Sequence, residues 1–151
     1  MNHSYQAADL FLSGSNCAQA VFAAFCDRTG LDQDFAAKIS SGFGGGMGRL
    51  REVCGAVSGM IMAANLLYGY TDPGEGDAAK KAHYELVQEL ANRFREEAGS
   101  IICRELLDNP PSDPSPSPRT QEYYNTRPCT RFVMLAARVL DEYIAEHPVN
   151  P

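Results

Sequence analysis

The chain has 151 residues, which is enough for one domain with a sizeable hydrophobic core, and we expect a single domain over residues 1–151. Its formal net charge of −6 at pH 7 leaves no basic stripe that could contact phosphates, which argues against a nucleic-acid partner. No apolar run approaches the roughly 18 residues of a membrane span, and the first residues lack the pattern of a secretory signal. We therefore expect a cytoplasmic protein with no membrane partner.

Helical patterns follow one another along the first half of the chain. A short helix is expected over residues 5–12, and the next begins near Cys17, where Ser15 or Asn16 can cap it. A third lies just before a cluster of glycines. The central helix, residues 54–70, is apolar or small at nearly every position, which is typical of a helix buried on most sides.

The second half of the chain predicts a long helix capped by Asp77 and then a short helix capped by Ser100. Residues 109–120 predict an extended proline-rich loop, because they hold five of the nine prolines. The last helix begins near Pro128, since proline is favoured at the first helical position. No segment alternates apolar and polar residues long enough to indicate a strand. We predict an all-α bundle of about five to six helices, with a glycine-rich loop before the central helix and the proline-rich loop before the last.

Four of the five cysteines, namely Cys17, Cys54, Cys103 and Cys129, fall in the first turn of a predicted helix. Arginines lie close in sequence to the last three. Helix N-termini and nearby guanidinium groups lower the pKa of a thiol, so we expect several thiolates at one electropositive spot. Cys26 lies nine residues beyond Cys17 and thus on the opposite helix face. We interpret it as an ordinary packing residue.

A glycine cluster precedes Cys54, and glycine lets the backbone approach another group closely. We expect the backbone N–H groups of Gly44, Gly45, Gly46 and Gly55 to approach the sulfur atoms or a cofactor held by them. Spacing alone leaves three interpretations open, because the sequence has no CxxC pair: the cysteines only pack, they bind a metal, or they perform thiol redox chemistry.

Other cofactor motifs are absent from the sequence. It has no CxxCH motif for covalent haem, no HExxH zinc motif and no Glu-x-x-His pair of a carboxylate di-iron bundle. The glycine cluster matches neither GxGxxG nor the P-loop spacing, which argues against nucleotide binding.

Several stretches together resemble one family. Asn16–Val21, the glycine cluster and Cys54–Gly59, a CGAxxG motif, are followed by the single cysteines Cys103 and Cys129. This order is similar to that of the C_GCAxxG_C_C family of redox-active proteins, over most of the chain. The resemblance implies that the four cysteines at helix starts match the family's four, that Cys26 has no counterpart, and that the protein has a redox role in bacteria or archaea.

The resemblance makes a functional site of Cys17, Cys54, Cys103 and Cys129 the favoured hypothesis, in three versions. In the first, the four thiolates hold an iron–sulfur cluster or another thiophilic metal, and the protein transfers electrons. In the second, Cys54 attacks a disulfide and Cys17 resolves it. In the third, a structural zinc stabilises a scaffold or adaptor domain without redox activity. The expected partner is a redox protein or a small thiol or disulfide, and the apolar central helix leaves a homodimer open.

Overall fold

The computed structural model describes residues 2–149, without the side chain of Glu75, and it is all-α, as predicted. Apart from an isolated antiparallel bridge between Val53 and Ile102, the described residues contain no β-structure. There are more helical segments than the five to six predicted, because several are only one or two turns long. The helices are α1 His3–Leu12, α2 Cys17–Ala24, α3 Cys26–Thr29, α4 Gln33–Ser40, α5 Gly55–Tyr68, α6 Gly76–Ala98, α7 Cys103–Leu107, α8 Gln121–Thr126 and α9 Cys129–Glu146.

A capping box fixes the start of α2. The side chain of Asn16 accepts a hydrogen bond from the N–H of Gln19 at 2.9 Å, and the side chain of Gln19 accepts one from the N–H of Asn16 at 3.0 Å. Two of the N–H groups that a helix start leaves unpaired are thus satisfied. Asn16, one of the two predicted caps, therefore sets where Cys17 enters the helix.

Three other helix starts differ from the prediction. Helix α6 begins at Gly76 rather than after a cap at Asp77, because a short 3-10 turn leads directly into it. Ile102 is the N-cap of α7, while the hydroxyl of Ser100 accepts from the N–H of Ile102 at 3.0 Å. Helix α8 was not predicted. Thr120 caps it, because its side chain accepts a hydrogen bond from the backbone N–H of Tyr123, the third residue of the helix.

Helices α2 and α5 form the centre of the core. Every residue of α2 from Ala20 to Ala24 is buried, and α5 buries Val57 and Met60 among others. The two backbones approach closely at Gly59, where a Cβ would lie only 2.6 Å from the carbonyl oxygen of Ala18. Helices α1 and α9 pack against α2, and α6 packs against α5 and α9. The core therefore holds the N-terminal ends of α2 and α5 next to each other.

A buried histidine joins α1 to two other helices. His3 Nδ1 lies 2.5 Å from the carboxylate of Asp141 on α9, and its Nε2 lies 2.9 Å from that of Asp27 on α3. The ring also stacks on Phe25, with ring centroids 4.1 Å apart. Burial disfavours the charged imidazolium, but the hydrogen bonds to the two carboxylates outweigh it, so the pKa of His3 is raised.

The longest helices are amphipathic rather than apolar throughout. Helix α6 buries only Leu90 and Phe94 along its whole length. Within residues 2–149, none of the helices combines the length and the hydropathy that a membrane crossing requires.

Candidate functional site

The four matching cysteines lie at helix starts, as the sequence predicts. Cys17, Cys103 and Cys129 are the first residues of α2, α7 and α9, and Cys54 is the N-cap of α5. The prediction that Cys26 lies outside the first turn of a helix is wrong, because it is the first residue of the single-turn α3. Cys26 differs from the other four cysteines in its place in the fold.

One cavity of about 420 Å³ brings the four cysteines together. Cys17, Cys54, Cys103 and Cys129 all line it, whereas Cys26 does not. All five cysteines are free thiols. The sulfur atoms that are far apart in sequence therefore face a common space, which has the size of a small-molecule site.

A short backbone pairing places Cys54 beside Cys103. The N–H of Cys54 donates to the carbonyl of Ile101 at 2.7 Å, and the N–H of Cys103 donates to the carbonyl of Glu52 at 2.6 Å. These two hydrogen bonds flank the isolated bridge between the two segments. Helices α5 and α7 both begin at this pairing, so their first residues meet at the cavity wall.

The glycine cluster folds into a left-handed turn above the sulfur atoms. Five consecutive residues have positive φ: Gly45 (67°), Gly46 (69°), Met47 (71°), Gly48 (56°) and Arg49 (66°). Glycine adopts this conformation readily, whereas each of the other two residues pays on the order of 1–2 kcal/mol. The turn therefore stores strain next to the cysteines, a feature that is common at functional sites.

Two glycines of this turn contact the cysteines directly. The backbone N–H of Gly45 faces the sulfur of Cys17, where it favours a negative charge. A Cβ at Gly46 would lie 2.7 Å from the Cβ of Cys103. Gly45 thus brings its backbone N–H to a sulfur, whereas Gly46 lies against the Cβ of Cys103. That these glycines bind a cofactor stays a prediction.

Gly44 and Gly55 also allow close packing between the glycine turn, α2 and α5. A Cβ at Gly55 would overlap Cys17 Sγ and would lie 2.9 Å from the carbonyl oxygen of Phe43. A Cβ at Gly44 would lie 2.5 Å from the side chain of Asn16, the cap of α2. Side chains larger than hydrogen at either position would push α2 away from the glycine turn.

The expectation of low thiol pKa values is wrong for three of the cysteines. Burial raises the pKa of Cys17 and Cys54, and it raises that of Cys129 to about 12. The guanidinium groups of Arg127 and Arg119 lower the pKa of Cys129, but by less than burial raises it. The cost of removing a charged sulfur from water exceeds the gain from helix ends and arginines.

Cys17 occupies the central place among the four thiols. Its pKa is raised by interaction with Cys103, and it in turn raises the pKa of Cys54 and that of Cys129. Each of the other three cysteines is thus close enough to Cys17 for their charges to interact. Cys17 is also partly exposed, whereas Cys54 and Cys103 are buried.

Arg51 reaches the sulfur of Cys103. Its Nη1 lies 3.6 Å from Cys103 Sγ, and its Nε donates to the carbonyl of Pro111 at 2.9 Å. Arg51 is only 4 % exposed, and its backbone has a positive φ of 63°. In the described part of the chain, its Nη2 has no hydrogen-bond partner.

The proline-rich loop covers the cavity and is attached to it through Arg49. The Nε of Arg49 donates to the carbonyl of Asp113 at 2.7 Å, and its Nη1 lies 3.3 Å from Ser117 Oγ. Pro114 and Pro116 line the cavity. The segment that the sequence predicts as a connector is therefore extended, as expected, but it also forms a wall of the site.

Arg119 is a site residue that the sequence analysis missed. Its Nη1 donates to the carbonyl of Phe11 at 3.0 Å and its Nη2 to that of Ser15 at 3.1 Å. The guanidinium also lies over the rings of Phe11 and Tyr123, at 4.4 and 5.0 Å from their centroids. One signal was available: Arg119 is the sole basic residue between positions 105 and 126.

The charge of the cavity wall differs from that of the whole protein. Among the described residues that line it are Arg49, Arg51, Arg119 and Arg127, and no aspartate or glutamate. The whole chain carries six more negative than positive charges. The electropositive spot that the arginines near the cysteines suggested is present.

The side chains are not arranged as a metal site. In residues 2–149 no three or more histidine, cysteine, aspartate or glutamate side chains are placed so that they could hold a metal ion. Four cysteine sulfurs suit iron or zinc chemically. They would have to move closer together to bind it.

Comparisons with known proteins identify the chain by its family. Searches of the curated proteins and of the solved structures find no match. A family model does match, over residues 15–143, which span the glycine turn and all four cavity cysteines. The chain belongs to the C_GCAxxG_C_C family, described as "Putative redox-active protein".

Proposed function

We propose that this protein performs thiol–disulfide exchange through Cys17 and Cys54. The observation that supports this most is that four cysteines from four helix starts line one cavity, while the fifth, Cys26, lies elsewhere. Two thiols facing one cavity can exchange two electrons by forming a disulfide, with no cofactor. A disulfide requires only two of the four sulfurs to come into contact, whereas a metal site requires three or four of them to converge on one point.

We assign the attack to Cys17 and the resolution to Cys54, the reverse of the order expected from the sequence. Cys17 is partly exposed. Burial raises the pKa of Cys17, and the backbone N–H groups of Gly45 and Ala18 offset part of that rise. Cys54 is 7 % exposed, and burial holds its pKa well above the ordinary value. The thiol that is reached first by a substrate and ionises more easily attacks first. Cys103 and Cys129 are alternative partners of Cys17.

The proposed exchange has two steps. The thiolate of Cys17 attacks one sulfur of a substrate disulfide, a mixed disulfide forms, and the other substrate sulfur leaves and takes up a proton. Cys54 loses its proton and attacks the sulfur of Cys17, which releases the second substrate thiol. The substrate gains two electrons and two protons, and the protein is left with a Cys17–Cys54 disulfide. A reducing thiol of a redox partner protein or a small molecule restores the two cysteines.

A second candidate function is electron transfer through an iron–sulfur cluster, or another thiophilic metal, held by the four cysteines. The arginines of the cavity favour it, because they would offset the negative charge of a four-thiolate cluster. The arrangement of the described side chains does not fit a metal ion as it stands. A structural zinc meets the same obstacle, since it requires a closed tetrahedral set of ligands.

The test uses a chromogenic aromatic disulfide and protein that was purified and reduced without oxygen. We expect two chromogenic thiols per chain to be released from the reagent in two steps, and peptide mapping to find a Cys17–Cys54 disulfide. In Cys54→Ser, one thiol is released and the other half of the reagent stays attached to Cys17. Cys26→Ser, which removes a thiol outside the cavity, retains the two-step reaction.

Four results would contradict the proposal. The mixed disulfide could persist in the unchanged protein, or Cys54→Ser and Cys26→Ser could lose the same step. A coloured protein that absorbs near about 400 nm and loses its colour on oxidation would instead support a cluster. A colourless protein that releases metal when its thiols are blocked would support zinc.

A further inference from the structure

We infer that the cavity binds a small molecule through an anionic oxygen group, such as a carboxylate or a sulfonate, held by Arg51 together with Arg119 and Arg127. The inference rests on the proposed function, because it takes the redox cavity as the place where the substrate binds. The observations that carry it concern the arginines and are independent of which cysteines react.

Arg51 is a buried cation without a carboxylate partner. Its three nitrogens meet the carbonyl of Pro111, the sulfur of Cys103 and, in the case of Nη2, no partner among the described residues. It is 4 % exposed and lines the cavity. Buried arginines are almost always paired with an acid, because an uncompensated charge out of water is costly. The free Nη2 has the chemistry to donate to a bound oxygen.

The two other arginines are held by neutral groups. Arg119 donates to the carbonyls of Phe11 and Ser15, and the guanidinium of Arg127 lies 5.2 Å from the ring centroid of Tyr123. Neither has a described carboxylate within ion-pair distance. Carbonyls and aromatic rings place the guanidinium groups in the cavity wall but leave their positive charges unbalanced.

The surrounding structure adds to the positive electrostatic potential of the cavity. The N-terminal ends of α2, α5 and α9 face the cavity through their cysteines, and helix N-termini carry partial positive charge. The nearest acid to the cavity arginines is Asp113, which lies 3.8 Å from Arg49 and does not line the cavity. A cationic or neutral ligand would leave this field unbalanced. An anionic ligand of small-molecule size would balance it.

The test compares two alkylating reagents of nearly the same size, anionic iodoacetate and uncharged iodoacetamide. Modification rates at Cys17 and Cys103 are read by peptide mapping at one pH, with Cys26 as an internal reference. Cys26 lies outside the cavity, and its pKa is raised by burial and by Asp32 and Asp27. Because Asp32 and Asp27 also repel iodoacetate at Cys26, an uncharged small thiol in the same solution provides a neutral reference. We expect the ratio of the iodoacetate rate to the iodoacetamide rate to be about tenfold or more higher at the cavity cysteines than at this thiol.

Two variants assign this preference to the cavity arginine. Arg51→Gln should lower the rate ratio about tenfold at the cavity cysteines, and Arg51→Lys, which keeps the charge, should retain most of it. Arg131→Gln is the matched control: it removes the same charge two residues beyond Cys129, from an exposed side chain that does not line the cavity. It should leave the ratio unchanged.

A further arm needs no variant, so it decides the matter even if Arg51→Gln fails to fold. Sulfate should slow the reaction of iodoacetate with Cys17 more than chloride does at equal ionic strength. The two salts should affect the reaction at Cys26 equally. Equal ratios at the cavity cysteines and the uncharged small thiol, or no difference between sulfate and chloride, would overturn the inference. Alkylation requires no disulfide, so the two proposals can fail separately. Anion binding can be found without the exchange reaction, and the exchange reaction can be found without anion binding.

Discussion

Gly55 offers the sharpest test of the site, because one methyl group there meets the central sulfur. In Gly55→Ala, the added Cβ would overlap Cys17 Sγ, and it would also lie 2.9 Å from the carbonyl oxygen of Phe43 and 3.2 Å from the backbone nitrogen of Ala18. The sulfur can rotate away, but the two backbone atoms cannot. The variant therefore has to separate α2 from α5 or displace the thiol of Cys17.

The size of the effect follows from two opposed contributions. Overpacking of a tight contact costs about 1–3 kcal/mol, whereas alanine is favoured over glycine in a helix by up to about 1 kcal/mol. We expect Gly55→Ala to lower the free energy of unfolding by about 1–2 kcal/mol. We also expect it to slow the first step with the aromatic disulfide by about 10- to 100-fold, because a displaced reacting atom loses its alignment.

Chemical denaturation and the rate of the first thiol release measure the two effects, and two glycines provide controls. Gly59→Ala places its Cβ 2.6 Å from the carbonyl oxygen of Ala18, one turn further along α5 and away from the sulfur. It should be destabilised but react at the normal rate. Gly42→Ala meets nothing within 4 Å and should change neither quantity. If Gly55→Ala reacts normally, or if Gly59→Ala loses as much rate, the placement of Cys17 against Gly55 has no role in the chemistry.

The remaining predictions concern the buried histidine and the loop over the cavity. Because the folded-state pKa of His3 is raised, its contacts with Asp27 and Asp141 stabilise fully below the unfolded value of about 6.5 and lose this effect as pH rises through the folded value. His3→Gln should therefore cost about 1–3 kcal/mol of unfolding free energy in acid and less in base; an equal cost at every pH would contradict this. Arg49→Ala removes two hydrogen bonds to the proline-rich loop, worth about 1 kcal/mol each. Limited proteolysis within residues 109–120 should become about 5- to 30-fold faster, and an unchanged cleavage pattern would show that Arg49 does not hold the loop.

Local signals were sufficient to predict where Cys17 and Cys129 enter their helices. Asn16 is a cap because its side chain reaches the backbone three residues on, and Gln19 returns the bond, so the start of α2 depends on a few adjacent residues. Pro128 also marks the start of α9, although it is the residue before the helix and not its first residue. Such signals fail where a tertiary contact sets the start, as at α7, which begins where residues 101–103 pair with residues 52–54.

The chemistry of the cavity depended on distant contacts and could not be predicted in the same way. The sequence places arginines beside cysteines, and this favours low thiol pKa values, but burial, which no local pattern measures, reverses the direction. Arg119 lies near the end of a loop whose composition indicates only an extended connector. That it reaches back to Phe11 depends on a contact across 108 residues of sequence.

Neutral thiols and unbalanced arginines fit together in the proposed reaction. Before the reaction, burial keeps the thiols of Cys54 and Cys129 protonated. The arginines therefore have no negative charge on these sulfurs to interact with. During exchange, negative charge develops on the attacking and leaving sulfurs, inside a cavity whose wall already holds Arg51, Arg119 and Arg127. Groups that are already in place and interact only as charge develops stabilise the transition state more than the ground state. The same arginines would bind the anionic group of a substrate. The cavity would therefore recognise the negative charge of the substrate and stabilise the negative charge that develops on the reacting sulfurs.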